Sequence, residues 1–119
     1  LLMFGCNINN FRRVDKPIAY LWDDSCALDP DRYGFPREFR LNDGELCWGA
    51  WAPDCEVLYR SDDNLPLVVV REYGKGACGW INSGDYHEFP PRSLLVPEAA
   101  LVQLLIGLLR WMTTRSEKP

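Results

Sequence analysis

The segment "LPLVVVREYGKGACGWIN", residues 65–82, carries the pattern on which the fold turns. Its first part, "LPLVVVRE", is an apolar, β-branched run of the kind a buried strand uses. Gly74 and Gly76 in "YGKG" supply the permissive backbone that reverses a chain, and "ACGWIN" resumes strand-forming residues. The spacing predicts that residues 66–72 and 77–82 pair antiparallel, with Gly74 or Gly76 at positive φ. Upstream, "CEVLYRS" at 55–61 alternates in part, which makes three strands in close succession. "GKGACG" lacks the glycine-lysine order of a phosphate-binding loop and opens no helix, so Lys75 reads as a solvated turn residue.

Downstream, Pro97 suits a first helical turn and Glu98 the positive end of the helix dipole. Apolar residues then fill 99–102, 104–106, 108, 109, 111 and 112, which predicts a long terminal helix over 97–113. Only Gln103, Gly107 and Arg110 interrupt its apolar surface. One sheet does not cover such a helix, so a second helix or a partner subunit is expected beside it.

Composition sets the outer limits. A chain of 119 residues that is 47% hydrophobic and 25% charged has the makings of one globular domain with one core. The net charge is -4 and the acids are spread through the first half, which leaves no basic stripe for nucleic acid. Five cysteines, at 6, 26, 47, 55 and 78, form no C-x-x-C pair and have a single histidine, His87, to join them. That spacing argues against zinc and against a secreted disulfide framework, and it suits reduced thiols in a cytoplasm. No apolar stretch reaches the ~20 residues that span a bilayer, and no signal-peptide pattern is present.

The opening run "LLMFGC" reads as a strand buried on both faces and ended by Gly5, with nothing before it to form a first turn. The expectation is a chain that starts in mid-fold, with an N-terminal portion missing. Residues 7 to about 54 read as loop-rich: "NINNF" is a turn or helix-entry signal, and "DDSCALDPDRYGFP" an exposed connection. Trp22, Trp48 and Trp51 either anchor these loops to the core or wall a pocket.

The segments "LLMFGCNINNF", "GFPREFRLND", "EVLYRSDDNLPLVVVREYGKG", "INSGDYHEF" and "LIGLLRW" follow the order seen in class I glutamine amidotransferase-like domains. The chain resembles most an uncharacterised glutamine amidotransferase-like branch, and more distantly the trehalose-utilisation-like proteins. The resemblance runs from Leu1 to about Met112. It implies an α/β fold, a flavodoxin-like three-layer αβα sandwich incomplete at its N-terminus, of which this chain is the C-terminal portion, with an antiparallel hairpin and a long terminal helix. The connection between Trp22 and Asp29 is shorter than the family's.

For function the resemblance points to Cys6 as a nucleophile in a strand-to-helix elbow, with His87 as its base and Glu88 or Asp85 as the orienting acid. The motif departs at both ends. Gly5-Cys6-Asn7-Ile8-Asn9 lacks the elbow's second glycine, and His87 and Glu88 are adjacent where the family separates the pair by one residue. The expectation is therefore a catalytically degenerate domain that binds a small molecule or a protein, with Asn7, Trp48, Asp85 and Tyr86 as binding residues. The alternative is a cysteine-dependent amidase or hydrolase. Neither reading calls for a cofactor or metal; both leave room for a homo-oligomer or a missing N-terminal segment.

Overall fold

The computed structural model describes residues 6–14, 17–41, 44–51, 53–82 and 99–115; in 6–14 and 44–51 it describes the backbone and, of the side chains, Leu46. The elements in chain order are β1 (Cys6–Val14), β2 (Ile18–Trp22), α1 (Pro30–Tyr33), β3 (Glu38–Leu41), β4 (Gly44–Trp51), β5 (Glu56–Arg60), β6 (Pro66–Tyr73), β7 (Gly76–Ile81) and α2 (Ala99–Thr114). They make two sheets, a two-stranded β1-β4 ribbon and a five-stranded sheet in the order β3-β2-β5-β6-β7. Every ladder in both is antiparallel.

This overturns the flavodoxin-like αβα sandwich that the resemblance implies, since that architecture needs parallel strands joined by crossover helices. The apolar run at 67–70 suggested such a parallel strand because both of its faces are buried: Leu67, Val68, Val69 and Val70 are all no more than 2% exposed. Burial on both faces is a matter of what covers the sheet, and here it occurs in a strand with antiparallel neighbours on either side. The expected pairing itself is present. β6 runs against β7 from Val68↔Ile81 to Tyr73↔Gly76, and Gly74 reverses the chain at φ 59°.

The loop-rich reading of residues 7–54 is also corrected, because β1, β2, β3 and β4 lie there. β3 has the period-2 signature of a half-buried strand, with Phe39 and Leu41 buried and Glu38 and Arg40 exposed. β2 then places Tyr20 opposite Phe39, and the two rings stack with centroids 4.8 Å apart. On its other edge β2 pairs Trp22 with Tyr59 of β5. Register shifts in β5 between Val57 and Arg60 bend the strand and help curl the sheet.

Tyr59 stands at the middle of the aromatic core. It meets Phe39 and Trp22 edge-on, both at 5.1 Å, and Tyr20 and Phe35 at 6.4 Å. The hydroxyls of this cluster have acceptors, as buried polar groups require: Tyr20 donates to the Asn82 carbonyl at 2.7 Å and Tyr59 to the Pro36 carbonyl at 2.5 Å. Burial pushes the Tyr59 phenol far above its ordinary range, so it stays a donor.

The terminal helix forms as expected, as α2; Pro97 and Glu98 lie outside the described residues. Its inner stripe, Leu101, Leu104, Gly107, Leu108 and Trp111, is buried. Gly107 allows close approach to Phe35, whose ring carbons lie 2.6 Å from where a Cβ would stand. On the outer side Val102, Leu105, Ile106 and Leu109 are 41–60% exposed, in keeping with a helix too apolar for one sheet to cover. Among the described residues no helix is long and apolar enough to cross a membrane.

Candidate functional site

The antiparallel order of β5 and β6 brings the start of one strand beside the end of the other, with Glu56 in register with Val70. Past that point the strands carry charge: Asp54 and Glu56 on one side, Arg71 and Glu72 on the other. The segment 27–33, which includes α1, and the last turn of α2 complete an open cleft of ≈ 620 Å³ at this end of the sheet. Leu28, Tyr33, Val70 and Trp111 give it apolar walls. Arg32, Arg71 and Arg115 stand around these, together with the carboxylates of Asp29, Asp54, Glu56 and Glu72.

Several of these groups are held by neighbours. Arg71 donates from Nε to Asp54 at 3.1 Å, and its side chain is only 16% exposed while that of Asp54 is 59% exposed. Asp29 caps α1 by accepting from the Asp31 amide at 3.1 Å, which satisfies one orphan donor of that short helix. Glu56 accepts from the Ala27 amide and ties the loop wall to β5. Arg32 lies over the Tyr33 ring at 5.5 Å. Arg115 donates from its terminal nitrogen to the Lys75 carbonyl at 2.8 Å, while its Nε–H is buried and has no hydrogen-bond acceptor among the described residues. Glu72 is exposed and has no partner among the described residues.

The loop that leads into the wall is pinned by Asp23. Its carboxylate takes the Arg60 guanidinium at 2.7 Å and both the amide and hydroxyl of Ser25. Burial raises the Asp23 pKa, but the hydrogen bonds from Ser25 and Arg60 outweigh burial and hold it below the usual carboxylate value. A carboxyl with a depressed folded pKa adds stability above its unfolded pKa, and that stability is lost as pH falls through the folded value. Asp23→Asn is therefore expected to cost about 2 kcal/mol at neutral pH, with the difference shrinking in acid. Urea unfolding of both proteins at pH 7 and pH 3 checks this.

Among the described residues no group of three or more His, Cys, Asp or Glu side chains could hold a metal. Cys26 is a free thiol, partly buried as are Cys55 and Cys78. Burial pushes the Cys26 thiol up; a backbone hydrogen bond at Leu28 works in the opposite direction, and Glu56, Asp23 and Asp24 add to the rise. It is therefore a thiol and not a thiolate nucleophile at neutral pH.

Of the residues singled out from sequence, those that are described lie in the β1-β4 ribbon. Cys6 opens β1 with its backbone paired to Trp51, Asn7 pairs with Ala50, and Trp48 stands in β4 opposite Asn10. Cys6 thus begins a nine-residue antiparallel strand, not the strand-to-helix elbow expected of a nucleophile. The polar residues after it pair along β4 and do not turn into a helix. Asp85, Tyr86, His87 and Glu88 lie outside the described residues.

Sequence reasoning missed the charged cleft, although a signal existed. Once 55–61 and 65–72 are read as successive antiparallel strands, Asp54 and Glu56 must share a sheet end with Arg71 and Glu72. Comparison of the chain with family models, with curated proteins and with solved structures finds no match.

Proposed function

We propose that the protein is a binding module for a small molecule and that the cleft between α1, the β5-β6 sheet end and α2 is its ligand site. One observation carries this reading: seven charged side chains from four separate segments converge on apolar walls, and one of them, Arg115, has a buried donor without an acceptor among the described residues. Ligand sites commonly combine an apolar lining with a few convergent polar groups, and ≈ 620 Å³ is within their usual size. Buried donors in folded proteins are otherwise nearly always satisfied.

The glutamine amidotransferase-like resemblance supplies no support for the cleft, because its fold does not hold for this chain. A cysteine-dependent hydrolase centred on Cys6 finds none among the described residues either, since a strand replaces the elbow that would activate the thiol. The free thiol of Cys26 is in keeping with a reducing, cytoplasmic setting.

Trp111 lines the cleft and reports on its occupancy. In a screen of peptides, amino acids, nucleotides and sugars, a bound ligand is expected to shift tryptophan emission, and Trp111→Phe is expected to remove the response. Trp80→Phe, a residue that does not line the cleft, is expected to keep it. A response that survives Trp111→Phe and disappears with Trp80→Phe would place the ligand elsewhere.

A further inference from the structure

We infer that the ligand of this cleft is a short peptide with both termini free and charged; the inference rests on the reading of the cleft as the ligand site. The lining carries three guanidinium groups and four carboxylates, close to balance yet with both signs present. A ligand with one kind of charge would satisfy one set and repel the other. A neutral ligand would strip water from all of them without replacing it, and charged groups resist that strongly. A molecule with a carboxylate at one end and an ammonium at the other meets both sets.

Among the described residues the Arg115 Nε–H and the Glu72 carboxylate have no partner and Arg32 has only the Tyr33 ring, and the first two name the ends. Arg115, fixed by its bond to the Lys75 carbonyl, keeps a buried Nε–H that lacks an acceptor among the described residues and suits a carboxylate. Glu72, exposed at the end of β6 and without a partner among the described residues, suits an ammonium. Arg71 is already engaged by Asp54, and Asp29 and Glu56 by backbone amides, so these hold the walls. A volume of ≈ 620 Å³ leaves space for more than one residue between the charged ends. Tyr33, Trp111 and Leu28 provide an apolar bed for a side chain.

The test is calorimetric titration of the whole 119-residue chain with the tripeptide Ala-Phe-Ala, its N-acetylated form and its C-amidated form. The free peptide is expected to bind, and each blocked form is expected to bind at least tenfold more weakly. In Arg115→Gln the loss on amidation is expected to vanish while the loss on acetylation stays; in Glu72→Gln the pattern reverses. Blocked forms that bind as well as the free peptide overturn the inference. So does failure of all three peptides when another compound binds and depends on Trp111, an outcome that keeps the cleft as a ligand site. If no compound at all perturbs the cleft, the reading of the site falls with it.

Discussion

Tyr59→Ala is expected to destabilise the protein by about 3–5 kcal/mol, the range for removing a large aromatic side chain from a packed core. Tyr59 is fully buried and touches the rings of Tyr20, Trp22, Phe35 and Phe39, which come from β2, β3 and the segment after α1. The truncation removes the contacts that join these elements and also leaves the Pro36 carbonyl without its donor. Tyr59→Phe separates the two effects. It keeps the ring and loses only the hydrogen bond, so it is expected to cost about 1–2 kcal/mol. Urea unfolding monitored by circular dichroism measures both, and equal losses in the two variants would show that the ring contributes nothing.

Gly107→Val is expected to destabilise the protein from the opposite cause. Here the site has too little space. An added Cβ would stand 2.6 Å from the Phe35 ring, and Phe35 is 4% exposed, closed in by Tyr33, Trp22 and Tyr59. Overpacking of this kind costs about 1–3 kcal/mol or more. Gly107→Ala introduces the same Cβ but gains about 1 kcal/mol of helix propensity, so its net loss should be smaller. The double variant Gly107→Ala with Phe35→Leu removes ring atoms from the clash. If it is less stable than the sum of its single changes, the close approach is not the cause.

These two positions also show what the sequence made legible. The hairpin at 66–82 and the terminal helix announce themselves through contiguous apolar residues and glycine punctuation, and both are present. Gly107 read only as an interruption of an apolar helix, because its role depends on Phe35, far away in sequence. β2 and β3 are short, and prolines, glycine and acids around them suggested loops, although the alternation of Glu38-Phe39-Arg40-Leu41 carried the strand period. β1 was harder. Asparagine and arginine dominate "NINNFRR", and what makes it a strand is its pairing with β4.

The order of local motifs suggested an amidotransferase-like sandwich, yet strand, turn, strand and helix in succession occur in many folds. The direction of neighbouring strands separates them, and among the described strands it is antiparallel in every pair. The lone histidine drew attention to 85–88 for its chemistry. The cleft residues come in small groups at 29–32, 54–56, 71–72 and 115, each unremarkable alone, and only the topology assembles them.

The most direct test of the cleft as the ligand site is a map of backbone amide and tryptophan indole chemical shifts in the labelled protein as Ala-Phe-Ala, or any compound found by the emission screen, is added. The expected result is a compact set of changes at Leu28, Asp29, Arg71, Glu72, the Trp111 indole and Arg115. Changes centred instead on Cys6, Asn7 and Trp48, with the cleft residues unmoved, would contradict it.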